Sequence, residues 1–126
     1  MHQALENLEV YRLAEKLSDD VWAVVVAWDY FARNTVGKQL VEAADSIASN
    51  ISEGYGRFSY KENVRFCYYS RGSLFETKNW LRRAKNRSLI NSDVDNAFSE
   101  DLDLLGKKLN AYINSIKKKT HSDHEP

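Results

Sequence analysis

The stretch "SNISEGYGRFSYKE", residues 49–62, decides how the chain is to be read. It holds two glycines, Gly54 and Gly56, between a carboxylate and an arginine. As a phosphate-cradling loop it would need a preceding strand and the G-x-x-x-x-G-K-[ST] spacing, and it has neither. Its "GYG" also matches a potassium-channel filter, which means nothing without membrane spans. As a corner between two helices it is complete. The apolar stripe Leu40, Ala44, Ile47 and Ile51 leads into it, with Ala43 and Ala48 beside the stripe. Gly54 then falls where a helix-ending residue with positive φ is expected. Ser59 and Glu62 form an S-x-x-E box that starts the next helix by satisfying two amides reciprocally. Glu53 and Arg57 bracket the corner as an expected ion pair. Asn50, Glu53, Gly54, Gly56, Ser59 and Glu62 are therefore read as structural.

The chain has only five Gly and one Pro, at position 126. Hairpin-rich folds usually need more of both. Upstream, Val10, Ala14, Leu17, Val21, Val24, Trp28 and Phe31 recur at steps of three and four, a bundle-helix seam that breaks at "ARNTVGK". Downstream, a third helix over about 60–86 would turn Phe66, Tyr69, Ser73, Thr77, Trp80 and Ala84 inward. Ser92, with Asp95 at the reciprocal position, would cap a fourth helix. That helix carries Val94, Phe98, Leu102, Leu105, Leu109, Tyr112 and Ile116. Asp101 falls on the same stripe, so a buried hydrogen-bond partner is expected for it. The fold class is all-α: one antiparallel up-down-up-down four-helix bundle over 1–126, folded from about 6 to 117, with 118–126 as a disordered tail.

Several chemistries are excluded by what is missing. His2, His121 and His124 all lie in the terminal segments, which leaves the bundle without an imidazole for acid–base work. There is no E-x-x-H pair for a di-iron site. "HSDH" at 121–124 lacks a scaffold to hold a metal. Cys67, the one cysteine, has no His partner and reads as a small packed residue in a reducing cytosol. "VWAVVVAW", residues 21–28, is too short to span a membrane, and no signal peptide is visible. The expectation is a cytoplasmic, non-enzymatic protein without metal or cofactor.

Net charge is zero, yet it is segregated. Residues 1–53 sum to −5, residues 54–88 to +7 and residues 89–126 to −2. The outer side of the third helix carries Arg57, Lys61, Arg65, Arg71, Lys78, Arg82 and Lys85, interleaved with Val64, Tyr68 and Phe75. Cations among aromatics suit RNA or DNA, whose phosphates and bases both find partners there. The same set suits a subunit interface in which Val64, Tyr68 and Phe75 are buried against a neighbour's acidic first helix. A solvated face is the third reading, opposed by the large apolar residues on it.

The order "LENLEVYRLAEKL", "AADSIASNISEGYGR", S-x-K-E and "SRGSLFETKNWLRRA" resembles the 23S rRNA intervening-sequence protein family over residues 5 to about 117. The most specific residues are Ser46, Ile47, Asn50, Ile51, Glu53, Gly54, Gly56 and Arg57, followed by Gly72, Ser73 and Leu74. The resemblance implies a four-helix bundle assembled into a homopentameric ring with a central channel. It also implies kinship with the accessory protein of diversity-generating retroelements, which binds nucleic acid and a reverse transcriptase. No enzymatic activity is implied. Where the family carries two arginines, this chain has Val41 and Glu42, which weakens polyanion binding there. The function expected is RNA or DNA binding by an oligomeric bundle. The alternative is a protein scaffold, for a reverse transcriptase or a ribosomal component, whose charges serve assembly.

Overall fold

The computed structural model describes residues 3–122. Among these there is no strand. After a 3₁₀ turn at Leu5–Asn7 come α1 (Glu9–Val25), a short α2 (Tyr30–Ala32), a π turn (Arg33–Gly37), α3 (Lys38–Tyr55), α4 (Tyr60–Asn86) and α5 (Ser92–Ser122). The four long helices α1, α3, α4 and α5 form a bundle. α1 packs on α3 and α5, and α4 packs on the same two. Leu17, Leu40, Ile47, Ile51, Leu102 and Leu109 lie fully buried at its centre. Each such side chain contributes about 1.5–3 kcal/mol through its removal from water. No helix among the described residues is long and apolar enough to cross a membrane.

The α3 stripe is buried as its spacing predicts, and so is the α5 stripe, except that Val94 and Tyr112 are half-buried and Ile113 joins it. The first helix follows its seam through Val21 and then departs from it. It stops at Val25, which is buried, whereas Val24 and Trp28 are half-buried and Phe31 is 76% exposed. The break thus comes earlier than "ARNTVGK", because the Asp29 carboxylate accepts the Ala32 amide at 3.0 Å and starts a new helix. "ARNTVGK" is itself helical. It continues into α3 through the π turn, whose Asn34 and Thr35 side chains donate to the Tyr30 and Phe31 carbonyls at 2.7 Å.

Gly54 also departs from expectation. No described glycine has positive φ, and α3 runs through Gly54 to Tyr55, with Gly56 capping at φ −80°. Gly54 is glycine because α4 crosses it closely: a Cβ there would meet Asn63 Oδ1 at 2.7 Å and Phe66 Cβ at 2.9 Å. The inner face of α4 is displaced as well. Asn63, Cys67, Ser70, Leu74, Thr77, Leu81 and Ala84 are buried, while Tyr69 is 50% exposed and Phe66, Ser73 and Trp80 are half-buried. Of the expected set only Thr77 and Ala84 are fully inside. Small and short polar residues hold this seam because α3 lies against it, and the Ser70 hydroxyl donates to the Ile47 carbonyl across the contact at 2.8 Å.

The cap of α5 is Asn91, not Ser92: its Oδ1 accepts the Val94 amide at 2.8 Å. Asp101 is exposed, since Leu102 takes the inward position between Phe98 and Leu105. The helix passes the Lys117–Lys119 run and continues to Ser122. The expected disordered tail is therefore helical over 118–122, and 123–126 lie outside the described residues.

Candidate nucleic-acid interface

α4 begins where the Ser59 hydroxyl accepts the Glu62 amide at 3.1 Å. This confirms half of the capping box. The Glu62 carboxylate turns instead to Arg65, at 2.6 Å. The expected corner pair also forms, Arg57 to Glu53 at 3.3 Å, with both groups about half exposed. Such pairs position side chains more than they stabilise the fold. Asn50 bonds within its own helix, to the Ser46 carbonyl at 2.9 Å.

Along α4, cations and rings meet in small groups. The guanidinium groups of Arg57 and Arg65 lie 4.8 and 5.5 Å from the Phe66 ring centre. Arg71 stands 4.9 Å from the Tyr68 ring, and its guanidinium donates to Asn110 at 3.1 Å. Lys117 reaches the same ring from α5 and donates to the Tyr68 hydroxyl at 3.0 Å. Lys78 lies 5.4 Å over Phe75 and 3.4 Å from Asp103. Cation and ring attract through the ring quadrupole, by about 0.5–1 kcal/mol when exposed. The row therefore presents positive charge backed by aromatic surface.

Lys61 is exposed on the first turn of the helix. Arg82 and Lys85 stand beyond the stacked groups. With Lys78 they line a groove of ≈ 480 Å³ between α4 and α5, where Asp95 and Asp103 partly neutralise them. Of the three residues read as interface, Val64 is half-buried against the core, while Tyr68 is 38% and Phe75 62% exposed. Val41 and Glu42 lie elsewhere, on a ≈ 290 Å³ groove with Trp22, Val26, Arg33 and Lys38.

Sequence reasoning missed Lys117 and Phe66 as members of this face. Lys117 stands at the expected end of a helix that in fact continues, and Phe66 on the face expected to be core. The signal for Lys117 was available: it follows the buried Ile116 without a helix breaker.

Behind the face, Asn63 Nδ2 donates to the Tyr112 hydroxyl at 3.3 Å, and the Cys67 thiol approaches Asn63 Oδ1 at 3.6 Å. Burial pushes the Cys67 thiol up to about 12. Burial also pushes the Tyr112 phenol up to about 12, opposed by the Asn63 bond. Both stay protonated at neutral pH, and neither is poised as a nucleophile. Among the described residues no group of three His, Cys, Asp or Glu could hold a metal ion; the His121–His124 stretch ends outside them.

The sequence profile described as "23S rRNA-intervening sequence protein" matches residues 6–111. No curated protein matches the chain. A solved structure from Bacteroides thetaiotaomicron VPI-5482, a protein of unknown function from the S23 ribosomal protein family, superposes with a TM-score of 0.74 at 18% identity. The superposition covers 82% of this chain and 97% of that one. At that identity the likeness establishes the fold, and the profile, which spans most of the chain, establishes the kinship: this protein belongs to the 23S rRNA-intervening sequence protein family.

Proposed function

We propose that this protein is a non-enzymatic, cytoplasmic, oligomeric binding protein that holds single-stranded RNA or DNA along the outer side of α4. The observation that carries this reading is the alternation of cations and half-exposed rings at Phe66, Tyr68 and Phe75. Phosphates pair with the cations, and bases stack on rings that every nucleotide can use. The bundle is taken to run up-down-up-down, supported by the packing of α1 and α4 each on α3 and α5 and by the short connection 56–59. Copies are taken to join in a ring, most simply a pentamer as in the resembling family, with Val64, Tyr68 and Phe75 near the contact.

The test is binding to an unstructured oligonucleotide as salt is raised. Affinity should be measurable at low salt and fall with a log–log slope of about −0.7 per neutralised phosphate. Arg71→Glu, Lys78→Glu and Lys85→Glu together should abolish it with the oligomer intact. No binding by the wild-type oligomer at low salt would refute the reading.

The second reading, a protein scaffold, is favoured by Phe75, which is 62% exposed beside a lysine already held by Asp103. If the triple reversal breaks the oligomer, the cations serve assembly and this reading replaces the first.

A further inference from the structure

A concavity of ≈ 790 Å³ opens at the α3–α4 corner, larger than the ≈ 480 Å³ groove along α4. Three properties distinguish it. The first is a polar pair in its depth. Asn63 is buried and Tyr112 half-buried, and the Tyr112 hydroxyl accepts from Asn63. The Tyr112 proton has no acceptor among the described residues, so it remains available to one placed in the pocket.

The second is aromatic lining. Tyr55 closes α3, with its hydroxyl donating to the Gln3 carbonyl, and Tyr60 opens α4. Phe58 lines the same space from the connecting loop, 75% exposed and outside the core. The third is charge. Arg57 and Lys119 line the pocket, and among the described residues no Asp or Glu does. Glu53 and the Phe66 ring brace Arg57 from outside, while Lys119 stands 5.7 Å over the Tyr60 ring. The groove along α4, by contrast, is lined by two aspartates as well as its cations.

We infer that the corner pocket binds a nucleotide, its base among the rings of Tyr55, Phe58 and Tyr60, a ring acceptor on the Tyr112 hydroxyl, and its phosphate at Arg57 and Lys119. A pocket of this size with planar apolar walls and a few fixed polar groups suits a ligand of that class. The site is distinct from the α4 row, and Arg57 alone belongs to both. The same chemistry occurs in a free mononucleotide and in the phosphorylated end of a strand.

The test uses the full chain, titrated by calorimetry and thermal shift with adenosine monophosphate, adenosine and inorganic phosphate. The monophosphate should saturate, with adenosine and phosphate each at least about tenfold weaker. Tyr112→Phe and Lys119→Ala should each weaken it about five- to tenfold, the loss of one hydrogen bond or charge contact. Lys119 is exposed, so that variant folds whatever Tyr112→Phe does. If a strand end is the source, a phosphorylated oligonucleotide competes with the monophosphate better than the same oligonucleotide without phosphate. If the free nucleotide is the source, the two compete equally poorly. The α4 triple reversal must leave monophosphate binding unchanged. Absence of saturation at millimolar ligand, wild-type affinity in both variants, or loss of binding in the triple reversal overturns the assignment.

Discussion

A methyl group on Gly54 would lie 2.7 Å from Asn63 Oδ1, 2.9 Å from Phe66 Cβ and 3.0 Å from the Asn63 carbonyl. Two of those atoms are fixed to the α4 backbone and cannot swing aside. Helix propensity alone would make Gly54→Ala stabilising by about 1 kcal/mol. Overpacking of this kind costs about 1–3 kcal/mol. The expected net effect is a loss of up to about 2 kcal/mol, seen as a lower urea midpoint at unchanged slope; a more stable variant would show that the helices part easily. Cys67 makes a second prediction, in alkali. Its thiol ionises near 9.0 when free and near 12 in the fold, because burial opposes the charge. Between those values the unfolded chain binds fewer protons, so stability falls as pH rises through that window and is unaffected below it. Tyr112 adds to the same fall, from 10.0 upward. Urea midpoints from about pH 8 to about pH 11 should decline, and Cys67→Ala should flatten the early part of the decline.

The helix ends show what sequence alone could and could not resolve. α4 ends with Ser88 at φ 60°, and the Leu89 amide reaches back to the Ala84 carbonyl at 2.8 Å. That is a left-handed C-cap on a residue other than glycine. Ser88→Gly should therefore stabilise the bundle by about 1 kcal/mol in thermal or urea unfolding. Next to it, Asn91→Ala should cost about 1 kcal/mol while Ser92→Ala stays near neutral, reversing the order the sequence suggests. Ser and Asn stand adjacent there, and only the backbone reveals which is the cap. The α3 and α5 seams were legible because their inward residues are Leu, Ile and Ala at regular steps. The α4 seam was legible only at Thr77 and Ala84, because its other inward positions include Asn63, Cys67 and Ser70, while the aromatic Tyr69 points outward. Hydrophobicity therefore displaced the expected face around that helix. The start of α2 had a signal in Asp29, a cap ahead of three helix-compatible residues, but the apolar run through Phe31 masked it.

At the scale of the molecule, the basic face was legible as a charge pattern, and its grouping was not, since Lys117 enters from a helix distant in sequence. Assembly gives a direct prediction. Tyr68→Ser with Phe75→Ser should lower the mass in light scattering while far-ultraviolet helicity is retained, because neither ring is fully buried in the protomer. A wild-type mass of 14.6 kDa at micromolar concentration would remove the ring from the proposal. α5 has 31 residues and α1 only 17, so α5 is longer by about 20 Å at 1.5 Å per residue. Its last buried apolar anchor is Ile116; the turn beyond is Lys117, Lys118, Lys119 and Thr120. Amide protons there should exchange with solvent orders of magnitude faster than those at Leu105 and Leu109, because opening that turn exposes no core. Lys117 and Lys119 belong to that fast-opening segment, one beside Tyr68 and the other at the corner pocket. A bound anion that engages either lysine would close the segment, and its occupancy would be recorded as slowed exchange at the end of α5.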